Sequence, residues 1–124
     1  MIDKLKKYIN KQRQKFKQET EIANGINNLP IDLKTKVDSY TGSNIGKCFT
    51  FDEFFSIFSL TTFVWVANYR DICDIEFYHD DEGYAVVLDG KDIKEVFTSS
   101  NSVDLLKKIE IDGKPLESIW NELC

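Results

Sequence analysis

Residues 72–88 constrain the fold more than any other stretch of this chain. Cys73, Ile75 and Phe77 alternate with the acidic Asp74 and Glu76. A period of two sets one row of side chains against a core and the other towards water, as in a half-exposed antiparallel strand. Asp80-Asp81-Glu82-Gly83 then supplies a polar turn, and Tyr84–Leu88 returns with apolar residues on both faces. Two strands over Ile72–His79 and Tyr84–Leu88, joined by that turn, make a hairpin.

The neighbouring residues extend the hairpin into a meander over residues 61–98. Thr61–Ala67 is rich in β-branched and aromatic residues and reads as a strand, and so does Ile93–Thr98 after Asp89-Gly90. On both sides the period changes to that of a helix. Ile2, Leu5 and Ile9, with Phe16 and Ile22 further on, predict a basic helix over 1–23, although Asn10–Lys15 breaks its apolar stripe. Pro30 opens a short helix over Ile31–Tyr40. Thr50-Phe51-Asp52-Glu53 is a capping-box pattern, and Phe51, Phe54, Phe55 and Phe58 follow at i, i+3, i+4 and i+7, the spacing of a core-facing stripe.

After the meander, Ser102 caps a short helix carrying Val103, Leu106 and Ile109. An extended piece around Glu110–Asp112 leads to Gly113. Pro115 then starts a last helix on which Leu116, Ile119, Trp120 and Leu123 share a face. The expected class is α+β: N-terminal helices, a central antiparallel β-meander, and short C-terminal helices over 102–123. At 124 residues, with nine Phe, five Tyr and two Trp, the chain suits one domain spanning 1–124 with a single core.

Charge is sorted along the chain. Residues 1–18 carry seven basic groups and one acid, a net of +6, whereas the remainder carries nine basic and twenty acidic groups, a net of −11. The overall charge of −5 argues against direct nucleic-acid binding, which needs cations against phosphate. The longest apolar run, Phe63–Ala67, is far too short for a membrane span. The basic start runs into polar residues rather than an apolar leader. Cys48, Cys73 and Cys124 are widely spaced and odd in number, as expected of free thiols in a reducing cytoplasm.

A search for catalytic chemistry finds little. His79 is the single histidine, beside Asp80 and Asp81, and no ligand spacing recommends a metal there. Cys73 shares its strand parity but lies six residues away, about 20 Å along a strand. There is no phosphate-cradling glycine loop, and Asp80–Gly83 lacks the alternate oxygen ligands of a calcium loop. No cofactor, metal or catalytic residue is therefore expected.

The meander does carry a candidate binding surface. Residues 71–124 hold 14 acidic and 5 basic groups, a net of −9. Asp74, Glu76 and Tyr78 share one strand parity, Asp80, Asp81 and Glu82 crown the turn, and Asp89 and Asp92 follow the return strand. Such a face complements a basic protein partner and steers its approach.

Two stretches resemble small cytosolic immunity proteins of bacterial toxin–immunity systems. Leu29-Pro30, Asp32-Leu33-Lys34 and Tyr40-Thr41-Gly42 resemble the early Leu-Pro and later Asn-Gly signature of the SUKH superfamily. Asp74–Tyr78, Tyr84–Leu88 and Ser99–Ile109 resemble that family's sheet and its following short helix. The ending, Ile111–Trp120, is similar to the tails of immunity proteins of contact-dependent growth inhibition systems. The family's Gly-Gly is here Thr41-Gly42, and the Phe-rich helix has no counterpart in the pattern. The resemblance implies a non-enzymatic toxin inhibitor in bacterial competition. It would bind a cognate toxin domain, often a basic nuclease, and occlude its active site. Two other classes stand beside it: a regulatory or adaptor module acting as a homodimer, and a small enzyme with a site near His79.

Overall fold

The computed structural model describes Gly25 and residues 28–124. The helix expected over 1–23 lies outside the described residues. The α+β class holds: helices precede and follow a four-stranded antiparallel sheet.

Helix α1 (Ile31–Ser39) follows Pro30, whose fixed φ suits a helix entry. It leads to the one-turn α2 (Ile45–Cys48) and then to α3 (Phe51–Leu60). The capping box at α3 forms in full. Thr50 Oγ1 accepts from the Glu53 amide at 3.0 Å, and Glu53 Oε1 accepts from the Thr50 amide at 2.9 Å. Two backbone donors that the first turn leaves unpaired are thereby satisfied. Lys36 on α1 pairs with the same carboxylate at 2.8 Å, tying α1 to α3.

The sheet runs β1 (Trp65–Tyr69), β2 (Cys73–Asp80), β3 (Gly83–Gly90) and β4 (Lys94–Ser99), each strand antiparallel to the next. Thr61–Val64, expected as part of the first strand, is instead an irregular crossing. Thr61 closes α3, its amide and hydroxyl both donating to the Ile57 carbonyl, at 3.0 and 2.6 Å. A residue held as a helix cap cannot also begin a ladder. The free edge of β1 is covered by the chain's last residues: Asn68 and Cys124 exchange both backbone hydrogen bonds, at 2.9 and 3.0 Å.

Helix α4 (Ser102–Lys108) is capped by Asn101 rather than Ser102. The Asn101 side chain accepts from the Asp104 amide at 3.1 Å, and Ser102 is the first helical residue. The register of the helix moves with the cap, so Leu105 and Leu106 are buried and Val103 is exposed. Strands β5 (Glu110–Ile111) and β6 (Lys114–Pro115) form a small hairpin through Asp112-Gly113, both at positive φ, where the extended piece was expected. Helix α5 (Leu116–Ile119) and a 3₁₀ turn (Trp120–Glu122) complete the fold, and Leu116, Ile119, Trp120 and Leu123 are all buried as one face.

The core lies on one side of the sheet. Phe54 and Phe58 of α3 stand over Phe77 of β2, with ring centroids 4.9 and 5.8 Å away. Trp120 lies 5.0 Å from Phe54, and its Nε1–H donates to the Phe49 carbonyl at 2.8 Å. Gly46 makes this closure possible. A Cβ there would stand 1.9 Å from the Trp120 carbonyl oxygen, so only glycine lets α2 meet the C-terminal turn.

Candidate functional site

Strand alternation puts Cys73, Ile75 and Phe77 towards the helices and Asp74, Glu76 and Tyr78 on the outer face of the sheet. The register then arranges that face in cross-strand rows. Asn68, Asp74, Asp89 and Lys94 form a polar row, Val66, Glu76, Val87 and Val96 a middle row, and Tyr78, Ala85 and Thr98 the row nearest the β2–β3 turn.

The carboxylates therefore do not form one continuous surface. Asp80, Asp81 and Glu82 stand at the β2–β3 turn, whereas Asp74, Asp89 and Asp92 gather at the opposite end, about six residues or 20 Å along the strand. Asp81 and Glu82 are exposed, and Asp80 is half-buried with its Oδ1 accepting from the Glu82 amide at 2.8 Å. At the other end, Asp74 accepts from the Asn68 side-chain amide at 2.9 Å, and Asp89 pairs with Lys94 at 2.6 Å. Asp92 is exposed in the β3–β4 turn.

Between the two ends the face is apolar apart from Glu76, which changes the place of Tyr78. Its parity is as expected, yet it is only 5% exposed rather than projecting among carboxylates. It forms a second buried cluster with Ala85 and Val87, against which Val64 and Val96 pack. Its hydroxyl donates to the carboxylate of half-buried Glu76. Sequence reasoning missed this belt as a feature, although Tyr84–Leu88, apolar on both faces, carried the signal for it.

His79 is on the core side of the sheet. Its ring stacks on Tyr84 at 4.1 Å, and Nδ1 meets the Thr61 carbonyl at 2.7 Å, which requires a proton on that nitrogen. It ties the end of α3 to the sheet. Among the described residues no three His, Cys, Asp or Glu side chains come together as metal ligands, and no helix is long and apolar enough to cross a membrane. Cys73 is buried, and burial pushes its thiol up, with Asp74 and Asp89 adding to the shift. A thiol so placed is a poor nucleophile.

The site thus offers exposed carboxylates at the hairpin tip. Beside them is a shallow groove of about 390 Å³, lined by Tyr78, Asp80, Glu82, Tyr84, Thr98 and Ser100 among others. Carboxylates so exposed accept charge-assisted hydrogen bonds from Lys or Arg of another surface. Comparison with protein-family models, curated proteins and solved structures returns no match.

Proposed function

We propose that this chain is a cytoplasmic immunity protein that neutralises a cognate toxin domain by stoichiometric binding. The observation that supports this reading is the exposed acidic tip, Asp81 and Glu82 with Asp80 behind them, on the β2–β3 hairpin beside an open groove. A nuclease presents basic groups where it holds phosphates, and carboxylates at the hairpin tip would occupy the same positions without chemistry of their own. An interface of ordinary size buries about 800 Å² on each partner, within reach of a domain of this size.

The test is co-expression with a toxin domain encoded beside this gene. Co-purification at one-to-one stoichiometry, with toxin activity lost at one equivalent, is the expected result. A toxin that remains active with this protein in excess would end the immunity reading.

A further inference from the structure

The two edges of the sheet are finished differently. On β1 the edge is sealed by the backbone exchange between Asn68 and Cys124. Strand β4 forms the other edge, and among the described residues no strand pairs with its outer side. The register fixes which groups point there. The Gly90 amide donates to the Ile93 carbonyl at 2.7 Å, and in an antiparallel ladder the bonded pairs alternate from that point onward. Glu95, Phe97 and Ser99 therefore turn their backbone groups to β3, and Lys94, Val96 and Thr98 turn theirs outward. The Thr98 carbonyl agrees with this phase, since it accepts from Lys108 Nζ at 2.9 Å.

An open edge is a template for another strand, and proteins ordinarily block it with proline, a bulge, edge charges or a covering element. Here the ladder is unbroken from Tyr84 and Ser99 to Asp89 and Lys94, so there is no bulge, and the strand contains no proline. The Lys94 ammonium is drawn back over β3 by Asp89, at 2.6 Å, and Glu95 shares the core-side parity of Phe97. Lys108 covers the Thr98 carbonyl alone. The outward amides and carbonyls of Lys94 and Val96 thus have no hydrogen-bond partner among the described residues. They are flanked by two half-buried side chains, Val96 on the outer face and Phe97 on the core side.

We infer that β4 is a strand-addition edge: an extended segment of the toxin domain pairs with the outward backbone groups of β4, from Lys94 to Thr98. The inference rests on the immunity reading and gives that binding a geometry. The edge leads into the groove beside the hairpin tip, which Thr98, Ser99 and Ser100 line together with Asp80 and Glu82. Ser99 pairs with Tyr84, next to Gly83 of the tip, so a strand on β4 ends beside the exposed Asp81 and Glu82. The segment that fits is apolar at its middle, against Val96 and Phe97, and carries Lys or Arg at the end nearest the tip. Main-chain bonds supply the hold, and alternate side chains with the terminal cation supply the choice of partner. Of Lys94 only the backbone takes part, because its ammonium stays with Asp89.

Residue-resolved amide hydrogen exchange of the full-length protein, alone and with the toxin domain encoded beside this gene, tests it. In the free protein the Lys94, Val96 and Thr98 amides should exchange at least about a hundredfold faster than those of Glu95 and Phe97, which bond to β3. In a one-to-one complex the Val96 and Thr98 amides should slow by a similar factor, while the Asn68 amide, held by the tail at the other edge, stays unchanged. A Val96 amide as slow as that of Phe97 in the free protein means that the edge is already covered, by a second copy if the rate depends on concentration, and overturns the inference. A one-to-one complex in which Val96 and Thr98 exchange as they do in the free protein also overturns it, and leaves the immunity reading standing. If no complex forms, the immunity reading falls and this inference with it.

Discussion

Asp74 and Asp89 stand directly opposite each other on β2 and β3, a like-charged pair in antiparallel register. Such a pair costs a few tenths of a kcal/mol to about 1 kcal/mol. Each carboxylate has a donor on its other side: the Asn68 amide at 2.9 Å for Asp74 and the Lys94 ammonium at 2.6 Å for Asp89. The four residues form one coupled row across the sheet.

Asp74→Asn should therefore stabilise the protein, by about 0.5 kcal/mol. Lys94→Ala should cost less in the Asp74→Asn background than in the wild type, because the ammonium then offsets one charge instead of two. Urea unfolding of the four members of this cycle measures the coupling. Additive effects would mean that the two carboxylates do not sense each other.

Cys73, next to Asp74, tests the same row by chemistry. Its thiol is buried, and burial first, then Asp74 and Asp89, push its pKa up. Cys48 and Cys124 are exposed. A thiol-specific chromogenic reagent at neutral pH should label Cys48 and Cys124 in the native protein and Cys73 only in denaturant. Native labelling of Cys73 would show that the sheet opens readily at this end.

Much of this arrangement was legible in the residues, and what was not has a common cause. The hairpin followed from the alternation of Cys73, Ile75 and Phe77 with Asp74 and Glu76, a signal that lies within one strand. The α3 cap followed from Thr50 and Glu53, which are neighbours in sequence. Thr61–Val64 and Ser102 were misread because Thr61 and Asn101 both have a side chain able to cap a helix end, and only the fold selects which residue does so. The separation of the acidic groups was invisible for a further reason. Asp80 and Asp89 are close in sequence, but a hairpin sends its turn to one end of the sheet and its far ends to the other.

The link between α1 and α3 should respond to acid. Glu53 is held below the usual carboxylate range, chiefly by its bond from Lys36 and then by the Thr50 amide. A depressed native pKa contributes stability above the unfolded value, and that contribution is lost as pH falls through the native one. The pair is partly exposed, so it is worth only a few tenths of a kcal/mol to about 1 kcal/mol. The stability difference between wild type and Glu53→Gln should therefore be present near neutrality and vanish in acid below the native pKa. Thr50→Ala, which removes the cap itself, should cost about 1 kcal/mol at neutral pH, with less of that loss dependent on pH. A Glu53→Gln difference that persists unchanged at low pH would mean that the carboxylate charge is not what matters.

Trp120 joins the C-terminal turn to the core in two ways that separate by mutation. Its ring packs on Phe51 and Phe54, at 5.5 and 5.0 Å, and its indole donates to the Phe49 carbonyl. Trp120→Ala removes both and should cost about 3–5 kcal/mol. Trp120→Phe keeps most of the apolar contact and leaves a buried carbonyl unpaired, at a cost of about 1–3 kcal/mol. Unfolding in urea distinguishes the two, and equal losses would mean that the hydrogen bond carries the whole effect.

The two ends of the sheet should behave differently when a charge is reversed there. Asp81 and Glu82 are exposed at the hairpin tip, so Asp81→Lys/Glu82→Lys should leave stability within about 0.5 kcal/mol of wild type. At the other end Lys94→Glu, in contrast, turns the ion pair with Asp89 into a repulsion within a row that already holds Asp74, and should lower the melting temperature. Against a basic toxin domain the order should invert. The tip variant should slow association at low salt and lose most of that deficit at high salt, because exposed charges steer over roughly 8–10 Å at physiological ionic strength. The Lys94→Glu variant, far from the tip, should associate nearly as the wild type does. Stopped-flow association of both variants at two salt concentrations, alongside their thermal melts, gives both orders. A tip variant that melts early would make Asp81 and Glu82 structural, and wild-type association of that same variant would move the partner surface away from the hairpin.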